Sequence, residues 1–461
     1  FILFYFFNIL YNIIYKMSGM AGSTSYLTVP PSNHSSTGTI SYRDGNPVIN
    51  FVIGEQDRFL LGSSVRMVGN ISIYKESDGA GFGVVPLVTD NLNVSAKLSA
   101  YSILDQVVIS SQKTKSVIEH VKFMNRYLAS YLPQVSSKQE AMGHQGCQSC
   151  MLPNIQANKL GFVTNVNGSS SVNRKFRGNS ICLDLPTGFL NSKEPIGLSG
   201  KGWGVGGLEI SIHLAPDSQV LNGTFPNAFY QLTDVQLICE VVNPSVDRLS
   251  QLMNQTSGTM EYNAISSYYT TIASSNAIIN FRLGLSRVIG AFLNFIPSVY
   301  LNNISFDGLQ TTPLINDLAT GEIAPINQIV WQRGGVRMPK MYNENANVRT
   351  NGTSTISDPE FARSFMSAFK PFMATTSTQQ SPATNNRVGF TNMQNFVDAG
   401  LMFGVGVDYS SISQTGVDFR NENFGVQMET GLTADNPHSA FLFVRSKQTL
   451  VFNSNGLQVI S

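Results

Sequence analysis

The sequence predicts an all-β protein built as two consecutive halves. Two observations carry this. Short stretches of alternating apolar and polar residues recur along the 461-residue chain, separated by Gly, Asn, Ser and Pro turns; that is the signature of a sandwich or barrel. Helical patterns are few, and one capped amphipathic pattern falls at a corresponding place in each half. This suggests a duplicated architecture without a readable sequence repeat.

The first sixteen residues, Phe1 to Lys16, use only Phe, Ile, Leu, Tyr, Asn and Lys. Composition changes at once at Met17, which predicts an upstream AT-rich reading frame with Met17 as the start. The apolar run is shorter than the roughly 20 residues of a spanning helix, and no other segment is long and apolar enough to span. Residues 17–45 are polar, with Pro30-Pro31 and no periodicity, and are expected to be an extended arm. Residues 46–244 and 245–461 are expected to be the two folded halves.

From Pro47 strand signals begin. Val65, Met67, Gly69, Ile71 and Ile73 alternate with Arg66, Val68, Asn70, Ser72 and Tyr74, a strand with one buried face. Val107 to Ile109 is a second run. Leu208, Ile210, Ile212 and Leu214 alternate with Glu209, Ser211 and His213. Val235, Leu237, Cys239 and Val241 follow the same rule until Asn243-Pro244. The second half opens with Ile279, Phe281, Leu283 and Leu285, then predicts strands over 401–409, 424–429, 439–445 and 449–453. Ser116-x-x-Glu119 reads as a capping box opening a helix with Val117, Val121, Met124, Leu128 and Leu132. Ser357-x-x-Glu360 opens a second, with Phe361, Phe365 and Phe369, ended by Pro371. The stretches 133–200 and 301–356 are long and weakly periodic and are expected to be loops over one end.

Charge narrows the function classes. Thirty Lys+Arg face 29 Asp+Glu, and only 13% of residues are charged. Asn and Ser together outnumber the charged residues. A nucleic-acid binder working by counterion release needs a basic footprint, which is missing. A hydrophobic content of 42% is too high for a disordered chain. Near-zero net charge lowers self-repulsion and favours association.

The motifs that could carry chemistry are weak. Gly202-Trp203-Gly204-Val205-Gly206-Gly207 matches the dinucleotide fingerprint, but a strand rather than a helix follows it, so a strand-entry turn is expected. His144, Cys147 and Cys150 form one His/Cys cluster, one ligand short of a tetrahedral site. Cys182 could supply the fourth, and zinc, a disulfide and ordinary thiols all stay open. Cys239 is expected in the core. Of the five His, 34, 120, 144, 213 and 438, His213 falls on the polar face of its strand and His120 on the first helix, both as surface or interface groups. Arg174, Lys175 and Arg177 read as a solvated loop. No catalytic, cofactor or metal residues are assigned, and no enzyme is expected.

The segments 63–74, 114–132, 206–221, 230–242, 280–303 and 440–460, in this order and spacing, resemble the double jelly-roll major capsid proteins of polinton-like viruses, virophages and adenovirus-like viruses. None of them is a short diagnostic signature. The resemblance implies two eight-stranded jelly rolls, with one short helix in each half. It implies a homotrimer forming a pseudo-hexagonal capsomer, which tiles an icosahedral virion shell assembled inside the host cell. Neighbouring capsomers, penton and minor or cement proteins would be the partners, with no specific nucleic acid and no membrane-spanning segment. The arm at 17–45 would order on assembly. The alternative is a secreted or surface β-sandwich that binds glycans or adheres, since such folds host lectins too.

Overall fold

The computed structural model describes residues 23–128, 180–301, 326–338 and 405–461, with short breaks at 36, 78–80, 85–92, 95–97, 223–226, 275, 299–300, 411, 414, 431–436 and 454–455. It also describes 344–345, 349–350, 355–356 and 372. Residues 1–22 and the predicted helix at 357–371 lie outside the described residues.

The first half contains β1 (Thr24–Val29), β2 (Val48–Ile53), β3 (Phe59–Ser77), β4 (Gly81–Val84), β5 (Asn93–Val94), β6 (Leu104–Ser111), β7 (Val117–Val121), β8 (Ser180–Asp184), β9 (Ile196–Gly197), β10 (Leu208–Leu214), β11 (Leu221–Asn222) and β12 (Phe229–Val242). β1 pairs with β12, β12 with β3, and β3 with β8, all antiparallel; the facing sheet runs β2-β10-β6-β7. Numbered B to I along the chain, the eight main strands fall in the order BIDG opposite CHEF, which is a jelly roll.

The second half repeats the plan. Its strands are β13 (Ser257–Ile272), β14 (Asn276–Phe281), β15 (Val288–Pro297), β16 (Ile326–Arg333), β17 (Val336–Arg337), β18 (Glu344–Asn345), β19 (Arg349–Thr350), β20 (Thr355–Ile356), β21 (Val405–Asp408), β22 (Phe424–Thr430), β23 (His438–Asn453) and β24 (Gly456–Ile460). The sheets are β13-β23-β15-β21 and β14-β22-β16-β17, again BIDG against CHEF. The protein is therefore a double jelly roll. The helix Val246–Met253, capped by the Ser245 hydroxyl, leads from one roll to the next. Most of the buried side chains of both rolls form one continuous apolar core.

Alternation read from sequence maps onto this core. Val65, Met67, Ile71 and Ile73 are buried on β3, and Leu208, Ile210, Ile212 and Leu214 on β10. Two bulges kink β12. At one of them Asp234 takes φ 52°, and its carboxylate accepts from Asn70 Nδ2 at 2.9 Å; aspartate tolerates that left-handed backbone better than most residues.

Five expectations need correction. Ser116 to Glu119 does not open a helix: residues 117–121 are strand β7, paired with β6, and the helical turn begins only at 124. The long stretches 133–200 and 301–356 are not only loops, because they supply β8, β9 and β16 to β20. Residues 439–445 and 449–453 are one strand of sixteen residues, β23. The strand expected through Leu285 stops at Phe281, although Leu283 and Leu285 remain buried. Part of the expected arm is built into the roll. β1 joins β12, Pro31 bridges Phe51, and Ile40 exchanges two backbone hydrogen bonds with Leu232.

The segment after β1 also guards the free edge of β2. Asn33 Nδ2 donates to the Val48 carbonyl at 2.7 Å, and its Oδ1 accepts from Asn50 N–H at 2.9 Å. Ser32 N–H donates to the Asn50 carbonyl at 2.7 Å. Unpaired edge groups template aggregation, and this strap occupies them. Asn33→Ala is expected to cost about 1–2 kcal/mol and to raise hydrogen exchange at Asn50 specifically. Unchanged exchange there, measured by mass spectrometry on short peptides, would show that the strap does not protect the edge.

Candidate functional site

The sequence motifs resolve first. In the glycine run, the N–H groups of Gly204, Val205, Gly206 and Gly207 donate to the carbonyls of Lys201, Gly197, Ser199 and Leu198 at 3.3, 2.9, 2.9 and 2.9 Å. A dinucleotide cradle needs such donors free for a pyrophosphate; here the fold consumes them. The glycines serve close approach instead, since a Cβ at Gly202 would collide with the Thr256 carbonyl of the inter-roll linker.

Cys182 sits on β8 opposite Val68 and is half-buried; Cys239 is fully buried, and burial pushes its thiol up to about 11. His144, Cys147, Cys150, Arg174, Lys175 and Arg177 lie outside the described residues. His213 stands opposite Gln106 on β6, and His120 is on β7, not on a helix; its Nε2 lies 3.0 Å from Gln106 Oε1. Desolvation and the positive charge of Lys122 hold His120 below its ordinary range. Among the described residues, no group of three or more His, Cys, Asp or Glu is placed to hold a metal ion. No helix of the described residues is long and apolar enough to cross a membrane.

The most elaborate arrangement of polar groups is the seam between the rolls. Glu119, fully buried on β7, is its centre. Its Oε1 accepts from the N–H groups of Gly188 at 3.0 Å and Ile265 at 2.7 Å; its Oε2 accepts from Phe189 N–H at 2.7 Å. Ile265 belongs to β13, so one carboxylate ties the β7 edge of the first roll to the β13 edge of the second. Burial pushes this carboxyl up, against the pull of the three N–H donors and of Arg445. Close by, Tyr262 Oη donates to the Ile118 carbonyl at 2.7 Å, and Phe189 meets the Tyr262 ring edge-on at 5.2 Å. Gly188 is required here for space, because a Cβ would collide with the Asn263 carbonyl.

Beyond β7, Phe123 takes φ 53° and turns the chain into the helical residues 124–128. This turn is driven against the outer face of β23 and β15. Tyr127 stands 5.5 Å from Phe443, 6.1 Å from Phe292 and 6.0 Å from Phe372. Phe123 meets Phe441 edge-on at 5.1 Å, and Arg126 lies 5.8 Å over the same ring. The buried Arg126 guanidinium donates to the Leu301 carbonyl, and desolvation lowers it to about 10. Phe441, Phe443 and Arg445 therefore face the first roll, while Leu442 and Val444 fill the second. Both faces of this strand are buried from His438 to Ser446. The seam joins the two rolls through buried hydrogen bonds and ring contacts.

No protein-family model and no curated protein matches the sequence. Solved structures do match in fold. A chain of the Sputnik virophage structure is 12% identical, with a TM-score of 0.55, covering 95% of this chain and 88% of its own. A chain of the capsid of the virus PBCV-1 is 9% identical, with a TM-score of 0.55, over 95% of this chain and 97% of its own. The major capsid protein of Faustovirus is 8% identical, with a TM-score of 0.54, over 94% and 91%. At such identities the likeness is one of fold: two jelly rolls in tandem, along nearly the whole of each chain.

Proposed function

We propose that this chain is a major capsid protein: a structural subunit, not a catalyst, whose three copies form a pseudo-hexagonal capsomer of an icosahedral virion shell. The single observation that carries the reading is the sealed pair of jelly rolls, matched over 94–95% of the chain by structures of a virophage, a virus capsid and a major capsid protein. Physical chemistry supports it. A shell subunit buries wide lateral surfaces, and charges there cost desolvation. This chain has few charges, and several pair with each other: Arg66 with Asp184 at 2.9 Å, Arg43 with Asp217 at 2.9 Å and Arg287 with Glu261 at 2.9 Å. Neighbouring capsomers and penton and minor capsid proteins are the partners this role requires.

The test is the assembly state of the purified full chain. Light scattering is expected to give about three times the 50.3 kDa chain mass, and negative-stain images hexagonal particles. A protein that stays monomeric at millimolar subunit concentration and is retained on a glycan column would replace this reading with the lectin-like one.

A further inference from the structure

The C strands of the two rolls, β2 and β14, stand at the same edge of their sheets, but only one of them is guarded. In the first roll, residues 30–47 join β1 to β2 and include the strap. Besides Ser32 and Asn33, His34 takes part, with its Nε2 2.8 Å from the Val48 carbonyl oxygen. In the second roll, residues 273–275 alone join β13 to β14, too few to double back along the edge. Among the described residues, β14 pairs with β22 and with no other strand.

This edge carries none of the features that discourage pairing. Over Asn276–Phe281 there is no charge and no proline. Asn276 and Asn280 are exposed, and Ile278 between them is 64% exposed. Alternate residues share a face, so the outer face of the strand reads Asn, Ile, Asn in either direction. Ile279 and Phe281 point the other way, into the core. Ile278 lies opposite Gln427 on β22, whose Oε1 accepts from Gln332 Nε2 at 2.9 Å. The sheet behind the edge is thus lined there by amides, not by charges.

We propose that β14 pairs with β14 of a second copy of this chain, antiparallel about a two-fold axis at Ile278, so that two CHEF sheets continue into one. The inference rests on the capsid reading and names a contact between capsomers rather than within one. The occupant follows from the symmetry of the strand. With Ile278 opposite its own copy, Asn276 meets Asn280 twice and Ala277 meets Ile279 twice. Moving the axis to Ala277 or Ile279 would set Ile278 against an asparagine instead. An isologous contact requires this self-complementarity, and opposed apolar and amide pairs are the units that hold strands together. No like charges meet, and no charge on β14 has to be desolvated. The contact is small, so one pair is weak and a shell would hold through many. Three-fold capsomers joined across two-folds extend as a sheet, which a closed three-fold ring does not do alone.

The test uses the full chain with substitutions at Ile278, an exposed side chain whose replacement leaves the roll folded, as circular dichroism checks. Ile278→Lys and Ile278→Glu each set like charges directly opposite one another. Each is expected to raise roughly tenfold the concentration at which trimers associate further, read by sedimentation, with the trimers themselves unchanged. Mixed in equal amounts, the two variants are expected to associate again, because a lysine then faces a glutamate. Ile278→Cys is expected to form a disulfide-linked dimer under mild oxidant that wild type does not form. Only a contact centred on residue 278 brings that position to its own copy. If both charged variants associate as wild type does and Ile278→Cys gives no dimer, the edge is wrong while the capsid reading stands. If wild type forms no trimers but Ile278→Cys still cross-links, the pairing stands and the capsid reading falls.

Discussion

Replacing Glu119 with alanine is expected to destabilise the protein by about 3–5 kcal/mol and to separate the unfolding of the two rolls. Three buried N–H groups, on Gly188, Phe189 and Ile265, would lose their acceptor at once. Each buried orphan costs about 1–3 kcal/mol, and relaxation of the seam recovers part of that. Denaturant unfolding followed at Trp203 and Trp331, one in each roll, reads the result. Coincident transitions in wild type and split transitions in Glu119→Ala are expected. A shift below 1 kcal/mol with coincident transitions would show that the carboxylate does not hold the seam.

The pH dependence of this site has a definite sign. Desolvation raises the folded-state pKa of Glu119 above its unfolded value. Between the two values the folded state binds more protons, so this group's contribution falls as pH rises. It is fully present below the ordinary glutamate range and is lost as pH climbs through the folded pKa. Glu119→Gln lacks that proton. The stability difference, wild type minus Glu119→Gln, is therefore expected to shrink from acid toward neutral pH. A difference that grows with pH would mean that the three N–H donors outweigh desolvation.

Glu119 also shows where sequence reasoning stops. Ser116-x-x-Glu119 has the residues of a capping box, yet Glu119 turns its carboxylate to partners far away in sequence, on β13 and the loop after β8. No local pattern encodes that. Strands with one wet face were legible, as β3, β10 and β12 show, because period-two alternation needs a solvent side. Strands buried on both faces were not. Val288–Pro297 is nearly continuous in apolar residues, and Ser257–Ile272 loses its alternation where β7 covers Ile265. The break between the two strands read at 439–445 and 449–453 fell at Ser446, Lys447 and Gln448. Lys447 donates its N–H to the Arg287 carbonyl and Gln448 pairs with Tyr262, so the strand runs through polar residues that have partners. The glycine run was rightly expected to be a strand-entry turn, because the strand after it was visible. The seam itself could not be foreseen, since its members are scattered from Ile118 to Gln448.

Tyr127→Ala carries the second large expected effect. The side chain is 1% exposed and is clasped by Phe292, Phe372 and Phe443. Removing a buried aromatic ring leaves a cavity and costs about 3–5 kcal/mol. What distinguishes this site from any core position is that the ring belongs to one roll and its partners to the other. A core ring of a single roll weakens that roll; Tyr127 weakens the joint. The double-mutant cycle with Phe443→Ala separates these cases. A coupling of about 0.5–1.5 kcal/mol is expected for rings in contact, whereas a cycle of Tyr127 with Phe51, buried in the first roll's β2, is expected to be additive. If Tyr127 and Phe443 were additive too, the helical turn would be resting on the second roll without holding it. The joint would then have to be secured by Glu119 with its three N–H partners, the Tyr262–Ile118 hydrogen bond and the Phe123–Phe441 contact.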